Sequence, residues 1–428
     1  MARQGLIGRI GIAAVLVLTA SACGTDSGSR PTPPQAALDG VGPITLATGK
    51  DTSGNLQNQI DGWNSAHPDQ RVSLIELPEN ADAQRQQMVQ NAQTRSDTYA
   101  VLNLDVIWTA EFAANQWVVQ LPEAEFPLDK LLPATVETGT YFNRLYAVPT
   151  NSDGGLLYYR KDLLDAAGLT PPKTWAELSA ACAKVLPANP GTSCYAGQFE
   201  KYEGLTVNFS EAVNSAGGAV VGPDGKPTLD TEAARKGLEF LVNGVKSGEI
   251  PGKARTFKEE EGRRAFQAGE LVFHRQWPYQ YLKAAATDGS SAVAGKFAVA
   301  PLPGLTGPGS STLGGHNLAV SAFAKNKKTA LEFIKYLSSE EQQRANLEKS
   351  SQAPTWAALY DDPALTARFP YLPTLKQSIL GAKRRPAVVK YQEVSTAIQN
   401  AVYDAMGGKG DVGGALTGLQ ARLSELTK

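Results

Sequence analysis

The side chains best equipped for chemistry are few, and their spacing narrows what they can do. Of three cysteines, Cys23 follows Ser21-Ala22 at the end of an apolar run, 10–20, which itself follows Arg3 and Arg9. Crossing a bilayer takes roughly 20 apolar residues, so this shorter run predicts an export signal rather than a span. The signal covers 1–22 and its end is lipobox-like, with Ala20 where leucine is commoner, so Cys23 is expected to be lipidated and to become the mature N-terminus. Plain secretion with a cysteine near the cut is the alternative. Either way the mature chain lies outside the cytoplasm, and on the first reading it is anchored at the extracellular face of the cell membrane. Cys182 and Cys194 are an even pair in an exported chain, and the loop between them, AKVLPANPGTS, holds two prolines and a glycine. A Cys182–Cys194 disulfide is expected, worth about 2–4 kcal/mol, the alternative being two unpaired buried thiols. His67, His274 and His316 are scattered and no Cys/His cluster has ligand spacing, so no metal or cofactor is expected. No Ser/His/Asp or Cys/His arrangement is evident.

Composition sets the frame around these residues. Segment 23–42 begins with the cysteine and runs on through GTDSGSRPTPPQAALDGVG, which lacks the apolar surface to offset the entropy of ordering and reads as a flexible tether. The body that follows is long enough for two domains with full cores. A net charge of −1 and 42% hydrophobic residues are ordinary for a globular protein. No basic stripe suggests nucleic acid, and no later apolar run is long enough to span a membrane.

The body opens with alternating elements. ITLAT (44–48), RVSLIEL (71–77) and TYAVLNLD (98–105) read as strands, separated by helical stripes at Leu56, Ile60, Trp63 (with Ser53 as a plausible cap) and at Met88, Val89, Ala92. That order predicts a parallel, helix-flanked sheet whose ligand crevice lies beyond the carboxyl ends of the strands. Asp51 follows the first strand and Asp105 ends the third, with Trp108 just after. A second unit begins near 153, with GLLYYRKDLLDAAGL running strand into helix and Thr174 and Glu177 fitting a capping box. Helices over 205–216, 231–246 and 259–267 and strand ELVFHRQW (270–277) continue it, KFAVAPLP (296–303) returns the chain toward the first unit, and after a Gly/Pro/Ser-rich crossover, 303–315, HNLAVSAF reads as another strand. Several crossings make a hinge rather than a loose linker. The expected lobes are 43–152 plus 303–352 and 153–302 plus 353–428, each a helix-flanked, mainly parallel α/β sheet.

LNLDVIWTAEF, YAVPTNSDGGLLYYRKDLL, KYEGLTVNFSEAVNSAGG, FHRQWPYQY, LGGHNLAVS and KRRPAVVKYQEVS, in this order and spacing, resemble the extracellular sugar-binding proteins of ABC importers, the trehalose/maltose type, over nearly all of 43–426. The resemblance implies a two-lobed, periplasmic-binding-protein-like fold that closes on an α-glucoside and hands it to permease subunits served by a separate ATPase chain. This sequence has no phosphate-binding G-x-x-x-x-G-K-[ST] loop of its own. The chain is expected to be monomeric.

A sugar presents flat C–H faces, which rings cover, and a fringe of hydroxyls, which carboxylates, guanidinium groups and amides take. By similarity, Trp277 is the stacking ring, Asp105 accepts hydroxyls from the first lobe, Asp153 approaches the ligand at the first crossing beside two glycines, and Arg385 donates from the C-terminal segment. Tyr279 adds a hydroxyl or a second ring, and Asp51 is a weaker candidate that could simply cap the first helix. Gly315-His316 falls where relatives often carry Gly-Trp, so one stacking surface is replaced by an imidazole able to donate to a hydroxyl. The plain alternatives are core packing for Trp277 and Tyr279, a cap or turn for the aspartates, and a solvated basic run for Arg385. Trp63, Trp117, Trp175 and Trp356 are expected in the core. The rival function is an extracellular glycoside hydrolase using Asp105 and Asp153, which needs two carboxyls held roughly 5–10 Å apart. Opposed lobes that move hold such geometry poorly.

Overall fold

A computed structural model of the chain describes residues 37–427 apart from 52, 53, 223 and 387; Cys23, the export signal, most of the tether and Ser53 lie outside the described residues. From the body's start the chain lays down β1 (Ile44–Gly49), β2 (Val72–Leu77), β3 (Val101–Asp105), the small hairpin β4 (Thr140–Tyr141) and β5 (Arg144–Leu145), and β6 (Val148–Asp153). It then forms β7 (Leu156–Arg160), β8 (Ser193–Ala196), β9 (Leu271–Gln276) and β10 (Phe297–Ala300), and returns with β11 (Gly314–Val320). The first sheet has the order β2-β1-β3-β11-β6 and the second β10-β7-β9-β8.

The expected two-sheet α/β architecture is present, but the sheets are mixed rather than mainly parallel. β1 runs parallel to β2 and β3, as the strand–helix–strand rhythm requires, while β11 is antiparallel to both β3 and β6. In the second sheet only β8 and β9 are parallel. The cause is the crossing pattern: β11 enters its sheet from the other one, so it runs opposite to strands laid down by local crossovers. β6 escaped the sequence reading because Pro149 interrupts it. It is an edge strand, where a missing N–H is tolerated.

Local chemistry explains the elements that carry the site. Val101, Leu102 and Leu104 of β3 are all buried, as befits a strand covered on both faces. All six residues of β9 are buried too. Leu46, Ile60, Trp63, Val101 and Phe333 build the core on one side of the first sheet, and Ala47, Met88, Leu104, Trp108 and Phe112 on the other. Trp63 stacks on His67 and Trp175 on Phe240, both serving cores as expected. The second sheet shares its core with the C-terminal helices Leu372–Leu380, Tyr391–Met406 and Val412–Leu426.

Thr174 and Glu177 form the expected capping box, each side chain accepting the other's backbone N–H at 3.1 Å. The helix they start, Trp175–Val185, carries Cys182, which is bridged to Cys194 of β8 with Cα atoms 5.5 Å apart. Replacing both cysteines by serine is expected to lower unfolding free energy by about 3 kcal/mol, the chain-entropy value for so short a loop, as read from urea denaturation. A loss below about 0.5 kcal/mol would show that the bridge is not what holds β8 to this helix.

Candidate ligand-binding site

The strand ends fix where polar side chains converge. A cavity of about 290 Å³ lies between the two sheets, and the eight candidate residues Asp51, Asp105, Asp153, Trp277, Tyr279, Gly315, His316 and Arg385 all line it. The first sheet delivers Asp51 past β1, Asp105 at the end of β3, Asp153 at the end of β6, and Gly315 and His316 from β11. The loop after β9 delivers Trp277 and Tyr279, and the segment after helix Leu372–Leu380 delivers Arg385.

Arg385 is the most constrained of these. It is buried, unlike its exposed neighbours Lys383 and Arg384, so only those two form the solvated part of the basic run. Its Nη2 donates to Asp105 Oδ1 at 2.9 Å and its Nη1 to Glu203 Oε1 at 2.6 Å. Burial opposes its charge, but Asp105, Tyr391 and Glu203 outweigh that and hold it protonated. Its Nε has no hydrogen-bond partner among the described residues. Asp105 also accepts from the N–H of Ile107 at 3.2 Å, so it shapes its own loop as well as facing the cavity. Asp51 likewise accepts from the N–H of Leu56 at 3.1 Å, which makes it a cap of helix Leu56–Ala66 as well as a wall residue.

Trp277 is half-buried, with the Arg275 guanidinium 3.8 Å from a ring centroid. Tyr279 donates its hydroxyl to Glu260 Oε1 at 2.8 Å, so the ring rather than a free hydroxyl is what it offers. Gly315 has φ +117, and a Cβ there would stand 2.3 Å from the Asn151 carbonyl oxygen, so only glycine lets β11 press so closely on β6. The register of that pair shifts at His316/Asn317. Burial, joined by the Arg385 charge and opposed by Asp105, lowers the pKa of His316 and keeps the imidazole neutral.

Asp153 is pushed up to about 7, first by burial and then by the Asp105 charge, against the pull of Arg275 and an Asn151 amide donating at 3.0 Å. Glu203 is also raised to about 7, by burial with the Asp105 charge added, although Arg385, Ser395 and Tyr391 all favour its ionised form. Glu203 is the main residue that the sequence reading missed. It stood in the motif KYEGLTVNF, and its signal was an acid at the first turn of helix Glu203–Ser215. Glu259 and Glu260, at the start of helix Glu259–Gln267, line the cavity for the same reason, and the amide side chains of Gln84, Asn103 and Asn346 add to its polar lining. Trp108 forms part of the wall and is itself buried. Among the described residues no group of His, Cys, Asp and Glu could hold a metal ion.

A cavity at the strand ends of two sheets, walled by rings, acids and amides, is chemically suited to a polyhydroxylated or otherwise polar solute. Residues 49–344 match the bacterial extracellular solute-binding proteins, and the chain belongs to that family. It is a binding component of an ABC importer, extracellular and not an enzyme. The chain is 34% identical over 409 residues, 91% of its length and 96% of the relative's, to a probable ABC transporter-binding protein of Deinococcus radiodurans. It is 25% identical over 387 residues, 84% of its length and 87% of the relative's, to a mannitol-binding protein of Pseudomonas aeruginosa. Among solved structures, maltose-bound MalE3 of T. maritima superposes with a TM-score of 0.86 at 35% identity, covering 90% of this chain and 99% of that one.

The raised carboxyls predict a pH dependence of stability. Carboxyls titrate near pH 4 when unfolded, about 4, whereas Asp153 and Glu203 hold their protons to about 7 in the fold. Their contribution is therefore fully present below about pH 4 and is lost as pH rises toward 7. Asp153→Asn should flatten the fall of Tm between about pH 5 and 7, measured by calorimetry without ligand. A variant that keeps the parent slope would exclude Asp153 as its source.

Proposed function

We propose that the chain captures an α-glucoside disaccharide or short oligosaccharide, with maltose and trehalose the leading candidates, and delivers it to the permease of its importer. The observation that carries this reading is the meeting of Trp277 with Asp105, Asp153 and Arg385 around one cavity. A pyranose offers a flat C–H face to an indole and hydroxyls to acids and a guanidinium, and an enclosed site makes each unmatched hydroxyl costly. Similarity to maltose-bound MalE3 supports the same solute class. Asp105 and Asp153 accept sugar hydroxyls, the buried, unpartnered Nε of Arg385 donates to one once the site rearranges around it, and His316 supplies a neutral donor where a second ring is common. The cavity volume of about 290 Å³ suits a small solute.

Capture works by closure of lobes 43–152 plus 303–352 and 153–302 plus 353–428 about Thr150–Asp153, Pro301–Pro303 and Ser350–Pro354. Ligand favours the closed form only through the contacts it gains there. Cys23 carries the lipid that keeps the protein beside the permease. Cys23→Ser should shift the protein from the membrane fraction to the medium; retention in the membrane would refute the anchor.

A thermal-shift screen of mono-, di- and oligosaccharides should single out α-glucosides, since a ligand that binds only the folded state raises Tm. Trp277→Ala should weaken binding of the best sugar at least tenfold, about 1.4 kcal/mol, with its melting curve still cooperative. Unchanged calorimetric affinity would remove Trp277 from the site. Incubation with maltose or trehalose should release no glucose.

A further inference from the structure

Directly behind Trp277 lies a charge pair for which ligand contact gives no task. Arg275 and Glu211 are 1% and 4% exposed, and neither lines the cavity. They meet as a fork, Nε donating to Glu211 Oε2 at 2.6 Å and Nη2 to Oε1 at 2.5 Å, while Nη1 donates to Gln198 Oε1 at 2.9 Å. Two buried charges are costly to desolvate, and apolar side chains of similar volume would fill a core as well. What needs explaining is their position.

Three structures converge on the pair. The guanidinium covers one face of the Trp277 indole, leaving the ring to meet the cavity with the rest of its surface. Glu211 Oε1 also accepts from the Thr312 N–H at 3.1 Å and from Ser311 Oγ at 3.3 Å, on the stretch that leads back into β11. Ser311 Oγ in turn accepts from the Gly155 N–H at 2.6 Å, on the passage from β6 to β7. A Cβ on Gly155 would stand 2.6 Å from Glu211 Oε1 and 2.8 Å from Arg275 Nη2, so that passage presses against the pair. The Ser311 carbonyl accepts from the Lys383 N–H at 2.7 Å, two residues before Arg385.

We propose that Arg275 and Glu211 are positioning residues for ligand capture: a single buried ion pair fixes the face that Trp277 presents and, at the same point, the two strand connections between the sheets. The proposal rests on reading this cavity as the ligand site. A guanidinium stacked on an indole is attracted to it and restricts its rotation, so less freedom is lost when a ligand arrives. Arg275, whose charge Glu211 compensates, also contributes to the field at Asp153. The charged and titratable groups around that carboxyl are Arg275 and Asp105, with the hydroxyls of Tyr158, Tyr360 and Tyr371 behind it.

The test separates positioning from mere scaffolding by the sign of its effects in ligand-free protein. Glu211→Gln leaves the guanidinium uncompensated and should lower the Asp153 titration midpoint, followed by carbon-13 NMR of labelled aspartate. Arg275→Met removes the cation and should raise it. General loosening would move both the same way. Arg275→Lys keeps the charge but loses the fork; it should leave the midpoint near its parent value, displace the Trp277 indole N–H signal, and weaken maltose binding about tenfold. Midpoints that move together, or an unmoved indole signal with unchanged affinity in Arg275→Lys, overturn the proposal. Arg275→Lys decides alone if the charge-removing variants do not fold. Parent protein that binds no maltose counts against the sugar reading, while the ligand-free measurements still decide this one.

Discussion

A guanidinium buried without counter-charges is not tolerated, and that constraint at Arg385 organises the middle of this molecule. Arg385 comes from the C-terminal segment, Asp105 from the last residue of β3, and Glu203 from the first turn of a helix packed on the second sheet. Holding all three within hydrogen-bond distance forces the end of one sheet and the start of that helix to face each other across a small gap. The gap is the cavity. Glu203 is itself secured by Tyr391 Oη at 2.6 Å and by Ser395 Oγ at 2.5 Å, so its carboxyl group is held by the helix Tyr391–Met406 as well. A carboxylate so completely satisfied is a support for Arg385 rather than a free acceptor for ligand.

The acids around the cavity therefore divide by what already holds them. Glu203 belongs to Arg385, and Glu260 to Arg263 and Tyr279. Asp153 has an Asn151 amide and the field of Arg275, and burial keeps its proton loosely poised near neutrality. A hydroxyl donated by a solute favours the ionised form of such a group. On the proposed reading of the cavity, solute binding and proton release at Asp153 would be linked.

Much of this was legible before any coordinates. Alternation of strands and stripes gave β1, β2 and β3, and with them the side of the sheet on which Asp51 and Asp105 must emerge. Motif resemblance supplied Trp277, Arg385 and the Gly315-His316 step. What stayed hidden depends on distance in the chain. Nothing near Glu203 in sequence announces Arg385, which lies 182 residues away. β6 was hidden by Pro149, because the freedom of an edge position is a property of the sheet and not of the strand. β8, four residues long, is too short to show a period. The mixed direction of the sheets had the same origin: local pattern reports crossovers between neighbours, while β11 arrives from the far sheet.

The third connection between the halves completes the argument about the ring. Ser351 has φ 53 and is fully buried, a left-handed conformation that a serine adopts only where its surroundings over-determine it. Its hydroxyl donates to the Pro278 carbonyl at 3.1 Å, lies 3.2 Å from that of Tyr279, and accepts from the Leu282 N–H at 3.2 Å. The turn that follows Trp277 is therefore tied to the segment after helix Glu340–Ser350, just as Arg275 and Glu211 tie its approach to the other two connections. Every passage between the sheets bears on the short stretch that carries the indole. A ring held in this way cannot shift without moving a connection, and a connection cannot bend without re-aiming the ring. On the proposed reading of the cavity, contact between solute and indole would be felt directly where the sheets are joined, with no longer chain of residues needed to relay it.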